Sequence, residues 1–582
     1  MADTRADIRF DALAPRYDVA VIGSGAAGLG AAVYAALDGA KVLLVERTEF
    51  IGGTSALSGG TVWAPGTRTG RSVNAEDSRE KVSAFLDSAV GNFGNRDMRE
   101  AFLDAAPEAI ATLEDRTQVQ FRPYPRHPDY EWDHPHATLN GRAIEPVPFD
   151  TRAMGAARDM IRPPIPEFTV LGGMNIDRVD IGHLLNRYKS ATAFTHVAKT
   201  VTRYMRDKAV YGRHTRLVMG GALVARLLAS ALDLGVDILR STEVTGLTQS
   251  EGAVNGLTLQ QGDSHAAVAV TGGVILATGG FGRSAARRAA YLPAALRAES
   301  PSAPGHTGTM HDMAFELGAT YGTGNDQGAF WAPCSTRTRA DGSTAVFPHF
   351  VLDRSKPGTV CVDLKGRRFV NETISYHAFG KAMLEGGPDT AGAWIVTDAP
   401  TLAKFGLGMV HPGGENPKPY VEEGYLIEAA SVAELAAKTG TDAALLQASL
   451  DDINAAAARG EDTTFGRGGS PYQRNNGDPT VTPNPTLGTI ATAPFYAVRL
   501  QPADIGTAQG LRADTHARLL RADDSVIPGL YAAGNDLHSI MGGTYPGPGI
   551  TLGPGLVFGY IAARDAVARA RSSQEKGQTR AA

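Results

Sequence analysis

The chain has 582 residues, 43% of them apolar, which is more than one hydrophobic core supports, so two or more domains are expected. A formal net charge of −5 leaves no basic footprint for nucleic acid, and two cysteines, Cys334 and Cys361, exclude a disulfide framework or an iron–sulfur ligand set. No apolar run reaches the roughly 18 residues of a membrane span, and the first 16 residues are polar without a signal core, so a cytoplasmic enzyme is expected.

Residues 19–22 (Val-Ala-Val-Ile) form a short apolar run of the buried parallel-strand type. The run ends in Gly23-Ser24-Gly25-Ala26-Ala27-Gly28, and residues 26–37 are Ala-rich and predict a helix closed by Gly39. Residues 41–45 give the next strand, ending at Glu46, 18 residues past Gly28. Each part has a task in holding a dinucleotide. Gly23 makes the turn, Gly25 lets backbone reach a pyrophosphate, and Gly28 packs helix against strand. The helix N-terminus offers unpaired N–H groups, and Glu46 accepts hydrogen bonds from ribose hydroxyls.

After Glu46 and Arg47 the chain carries Gly52-Gly53-Thr54-Ser55 and Ser58-Gly59-Gly60, glycine pairs separated by small hydroxyl residues that suit backbone pressed along a flavin. Residues 273–280 (Gly-Val-Ile-Leu-Ala-Thr-Gly-Gly) read as a strand ending in the turn Ala277-Thr278-Gly279. They resemble the segment closing the adenine side in flavoproteins of the glutathione-reductase type. Residues 529–535, ending in Gly534-Asn535, resemble the flavin-approaching strand of the same group. With Val244, Gly549, Thr551 and Leu552 these residues make up the expected FAD contacts. No second GxGxxG follows, so a nicotinamide domain is not expected.

The expected fold class is α/β: a Rossmann-type, glutathione-reductase-like FAD domain (1–300, resuming at 489–582) with an inserted α+β catalytic domain (301–488). Residues 68–205 lack strand alternation and read as an inserted helical lobe, with a helix near 99–113 and a Pro/His/Tyr-rich loop over 124–148. A helix is expected over 216–234, a strand over 236–239 and a meander over 243–270. In the second domain a hairpin is expected over 360–370 turning at Lys365-Gly366, with helices over 312–317, 432–438 and 443–457. The polar tail after Ala568 is expected to fray.

With the Gly23–Gly28 turn, Glu46, residues 360–372 and the tail from Gly534 in view, the chain resembles the fumarate reductase/succinate dehydrogenase flavoprotein superfamily. Within it, the match is to the 3-ketosteroid Δ1-dehydrogenases. The discriminating segment is Tyr545-Pro-Gly-Pro-Gly549, followed by Ile550-Thr551-Leu552 where fumarate reductases place a catalytic Arg. The resemblance implies that Tyr545 and the Gly549 N–H grip a substrate ketone and that Tyr376 removes the α-proton. A second tyrosine, Tyr130, with Tyr124 and His127 as alternatives, assists it, and hydride passes to flavin N5. Where the membrane reductases tether flavin through a His, this chain has Ser55-Ala-Leu-Ser58, implying noncovalent FAD.

The implied reaction is desaturation of a ring ketone, a 3-ketosteroid or a smaller ring such as cyclohexanone or an oxocyclohexane carboxylate, with an external electron acceptor. The 3-ketosteroid is the leading class, but departures around Tyr130 and a chain longer than is usual for the steroid enzymes make the smaller ring the runner-up. A fumarate- or urocanate-type reductase is the alternative. The His127, His134, His136 group reads as a solvated or lid loop rather than a metal site, and His538 as a hydrogen-bonded structural histidine.

Overall fold

A computed structural model describes residues 7–296 and 299–581, with side chains through Glu575; the first six residues of the polar start lie outside it. An eight-stranded sheet carries the cofactor half, in the order Arg518–Leu520, Val526–Ala532, Ser264–Leu276, Arg16–Ile22, Val42–Val45, Asp237–Leu239. The pairings from Val526–Ala532 through Asp237–Leu239 are parallel. Their apolar side chains are buried, as a sheet covered on both faces requires. Helix Ala26–Leu37 and the long C-terminal helix Leu552–Ala581 pack against each other and against this sheet. That helix runs straight through the tail expected to fray. Arg571 donates to the Asp38 carbonyl and Gln574 to Asp18, which tie the tail to the domain.

The expected meander and the strand at 273–276 form one continuous element. Ser264–Leu276 pairs antiparallel with Ala253–Gln261 over its first half and parallel with Arg16–Ile22 over its second. The strand changes partners near Gly272 and Gly273, where a Cβ would lie 2.2 Å from the Ala566 carbonyl or 2.4 Å from that of Gly529.

A six-stranded antiparallel sheet builds the second domain: Thr344–Pro348, Ala329–Thr338, Phe495–Thr507, Ala393–Asp398, Thr359–Asp363, with Leu426–Ala429 also on Phe495–Thr507. The expected boundary at 488 falls short of this central strand, so we draw it after Thr507. Only half of the expected hairpin forms. Thr359–Asp363 pairs with Ala393–Asp398, and the return arm keeps a single bridge, Val362 to Arg368. Arg368 is instead drawn into buried ion pairs with Glu372 and Asp462 and a half-buried one with Asp452.

The lobe is not purely helical. Val62–Trp63, Ala143–Pro146 and Phe121–Pro123 make a three-stranded sheet, and Phe149–Asp150 pairs with Arg216–Leu217. These strands are too short for alternation to register. The helix expected from 216 begins at Met219, whose φ of 52° breaks the chain away from that strand. Among the described residues no helix is long and apolar enough to cross a membrane.

Candidate active site and cofactor cradle

The first glycine turn is fixed by sterics. Gly23 sits at φ 103°, where a Cβ would lie 2.3 Å from the Ala277 carbonyl, and a Cβ on Gly28 would lie 1.9 Å from the Gly23 carbonyl. Helix Ala26–Leu37 starts without a side-chain cap, leaving its first N–H groups facing the turn; the Ala26 N–H donates to Ser55 Oγ at 3.0 Å. Glu46 is buried. It accepts from the Ser24 and Thr48 N–H groups at 3.1 and 2.8 Å and from both hydroxyls, so its carboxylate is held in place at the strand end. Arg47 bonds Thr307 and pairs with Glu243, beside the buried Val244.

The expected contacts from the second glycine segment divide. Thr54 Oγ1 accepts the Ala303 N–H and lies 3.4 Å from His306, while Gly53 stands open toward Gly25. Ser58 Oγ closes its own turn, donating to Ser55 and accepting from Gly60. Gly60 is required by the helix starting at Met219, since a Cβ there would lie 2.5 Å from the Gly220 nitrogen. Gly59 has open space around it. Ala277, Thr278 and Gly279 face the second approach segment, whose Gly534 packs on Ala27.

Beside the second approach segment lies a cleft lined by Phe330, Thr507, Asn535, His538, Thr551 and Phe558, with Leu552 next in the chain. Thr507 Oγ1 on this lining and His306 Nδ1, whose ring lies against Gly53 and Gly279, are buried without a hydrogen-bond partner, a costly state that a polar ligand would relieve. The stripped glycine backbone, the open helix N-terminus and these orphaned polar atoms fit a large dinucleotide. Burial lowers the pKa of His538 to about 4, keeping its imidazole neutral beside the cleft.

Phenols gather at the cleft's edge. Tyr545, on the loop before Gly549, has its ring centroid 5.2 Å from Tyr376, 5.7 Å from Tyr130 and 5.3 Å from Phe330. Tyr376, the first residue of helix Tyr376–Glu385, lies 5.5 Å from Tyr130. Of the candidate helpers, Tyr130 has ring contacts with both Tyr376 and Tyr545. Tyr124 packs one step out, on His127. Tyr376 interacts through its hydroxyl with both other phenols, and Tyr545 also with Thr551. Burial pushes the Tyr130, Tyr376 and Tyr545 pKa values above 10, so all three are protonated near neutrality. Tyr472, not foreseen, packs on the other side of Tyr130 at 5.0 Å.

Three segments are bound together at the backbone. The Tyr130 and Glu131 N–H groups donate to the Pro546 carbonyl, at 2.8 and 3.5 Å, and the Trp63 N–H donates to the Gly549 carbonyl at 3.2 Å. Gly549 has φ 88°, and a Cβ there would lie 2.3 Å from the Thr61 carbonyl. Trp63 Nε1 donates to Asp129, and buried Arg142 bridges Asp129 to Asp77, fixing the residue before Tyr130. Trp63 had a sequence signal only as an aromatic beside the glycine pairs; Asp129 and Arg142 had none. His127 is packed between Tyr124 and Tyr130, and burial lowers its pKa to about 3. His134 bonds Ser88, and among the described residues no metal-holding group forms.

A dinucleotide cradle whose far wall is a cluster of buried phenols is the arrangement of a flavin-dependent oxidoreductase. The chain belongs to the FAD binding domain family, whose model matches residues 18–552, and FAD is its cofactor. It is 37% identical to 4-oxocyclohex-2-ene-1-carboxylate 5-dehydrogenase of Sinomonas cyclohexanicum, over 96% of this chain and 95% of that protein. It is 34% identical to 3-oxosteroid 1-dehydrogenase of Mycolicibacterium smegmatis, over 96% and 98%. The fold superposes on 3-ketosteroid Δ1-dehydrogenase from Sterolibacterium denitrificans in complex with 1,4-androstadiene-3,17-dione with a TM-score of 0.89 and 31% identity, covering 95% of this chain and all of that one. Because the chain matches 98% of a 3-oxosteroid enzyme, its length does not argue for a smaller ring.

Proposed function

We propose that the protein desaturates a cyclic ketone at the carbon–carbon bond next to the carbonyl, with noncovalently held FAD and an external electron acceptor. The contact of Tyr130, Tyr376 and Tyr545 at the edge of the cofactor cleft carries this reading. Tyr545 Oη and the Gly549 N–H grip the ketone oxygen, where negative charge grows as the α-proton leaves. Two preorganised donors in a site closed to water act there, each worth on the order of 3 kcal/mol.

Tyr376 takes the α-proton. It does so as the phenolate, becoming the neutral phenol; its own proton must leave first, and the contact with Tyr130 gives that proton a route out of a site where burial opposes its loss. Bound FAD supplies the hydride acceptor. Trp63 and the Pro546 carbonyl hold Tyr130 and the Tyr545–Gly549 loop in one frame, so the donors and the base keep their spacing.

Thr551, beside Tyr545, offers no cation for a dicarboxylate, which sets the fumarate-type reaction aside. The relatives named for 3-oxosteroids and for an oxocyclohexene carboxylate bracket the substrate class as ketones on six-membered rings. The test is anaerobic mixing of the oxidised enzyme with a 3-ketosteroid, cyclohexanone, 4-oxocyclohexanecarboxylate and succinate in turn. Bleaching by a cyclic ketone with appearance of the enone supports the proposal and gives the ring size. Bleaching by succinate alone, or by none, ends it.

A further inference from the structure

Asp536 is fully buried in the cofactor half, one residue past the Gly534-Asn535 segment. Its carboxylate accepts from the Thr278 N–H, from Thr278 Oγ1 at 2.8–2.9 Å and from the Gly280 N–H at 2.9 Å. Those donors belong to the Ala277–Gly280 turn, whose Thr278 comes 258 residues earlier in the chain. A single side chain thus staples this turn to the Gly534–Asn535 segment that lines the cleft. The Thr278 hydroxyl, which the sequence points toward the cofactor, is spent on this staple.

Asp536 is itself backed by an ordered chain. His311, fully buried, has Nε2 2.9 Å from Asp536 and Nδ1 2.8 Å from the Tyr321 hydroxyl. Arg287 donates to that hydroxyl at 2.8 Å and pairs with Asp312 near the surface. One assignment of hydrogens satisfies every member: Arg287 donates to Tyr321, Tyr321 O–H to His311 Nδ1, and His311 Nε2–H to Asp536. These hydrogen bonds outweigh burial and keep the carboxylate ionised.

We propose that Asp536, oriented by His311, is a cofactor-positioning residue: it holds the Ala277–Gly280 and Gly534–Asn535 segments at the spacing FAD requires, so that it governs cofactor retention rather than global stability. The two segments meet almost without side chains of their own. A Cβ on Gly280 would lie 2.0 Å from Thr507 Oγ1 and 3.2 Å from the Asn535 carbonyl, and Gly534 rests on Ala27. The strand ladder ends with the Ala533 N–H donating to the Leu276 carbonyl, and beyond it, with so little packing, the position of the two segments depends on the bonds that Asp536 accepts.

The test is FAD titration of apoprotein, followed by flavin absorbance and fluorescence, with melting temperatures of apo and holo forms. Asp536→Asn should raise the FAD dissociation constant on the order of tenfold to a hundredfold, the range charge-assisted hydrogen bonds span. Thr278→Val should raise it about tenfold and Thr278→Ser should restore it, with the apoprotein melting temperature of both unchanged. If Asp536→Asn does not fold, the Thr278 pair decides. Wild-type FAD affinity in Asp536→Asn and Thr278→Val overturns the proposal. So does a lowered apoprotein melting temperature with the FAD-induced rise intact.

Discussion

Replacing Tyr545 with Phe removes one oxygen and nothing else from a ring that is 4% exposed. The ring keeps its stack on Tyr130 at 5.7 Å and its edge contacts with Tyr376 and Phe330. The lost hydroxyl interacts with Tyr376 and Thr551, and Tyr376 retains Tyr130 as a partner. The stability cost should therefore be near that of one net hydrogen bond, about 1 kcal/mol. The catalytic cost is larger because the ketone oxygen keeps one donor, the Gly549 N–H, as charge develops. Losing about 3 kcal/mol of transition-state stabilisation lowers the rate of flavin reduction on the order of a hundredfold or more. Anaerobic stopped-flow at saturating ketone measures that rate, and the flavin-to-protein absorbance ratio confirms that FAD is still bound. A fully loaded Tyr545→Phe enzyme reduced within threefold of the wild-type rate would refute the role of this phenol.

Tyr376→Phe should abolish measurable flavin reduction while FAD loading is unchanged; exchange of the substrate α-proton with D2O, followed by NMR, should stop with it. The phenols are protonated near neutrality because burial raises their pKa values. Deprotonation therefore comes with rising pH, so kcat/KM should climb through the alkaline range, and a flat profile would exclude a phenolate base. Trp63→Phe keeps the stack on Phe102 at 6.1 Å but deletes the hydrogen bond to Asp129, and should lower kcat several-fold with no change in FAD affinity. Gly28→Ala would force a Cβ to within 1.9 Å of the Gly23 carbonyl, and should yield protein that neither binds FAD nor matches the wild-type melting temperature.

The cofactor half was legible because its signals are local. Strand, glycine turn, helix and Glu46 lie within a few dozen residues, and Gly23 and Gly28 are fixed by backbone carbonyls rather than by side chains. Tyr545 and Gly549 were legible for the same reason, as one short motif. The rest of the site is assembled at long range. Tyr130, Tyr376 and Tyr545 meet across more than 400 residues of chain, and nothing near residue 130 marks it out from Tyr124 until the Pro546 carbonyl is seen to hold it. Asp129, Arg142, His311 and Asp536 act by pairing with partners that only the folded chain supplies. The lobe strands were hidden by their length, and the half-formed hairpin by Arg368, whose buried carboxylates outbid a second ladder.

The strand Phe495–Thr507 is the middle member of the substrate-side sheet, yet its last residue forms part of the cleft wall on the cofactor side. It behaves as a beam shared by two rooms. Phe330, on the neighbouring strand Ala329–Thr338, lines the same wall, so two paired strands of that sheet reach the cleft. A shift of this sheet would therefore reshape the chamber where the cofactor rests, through both strands at once.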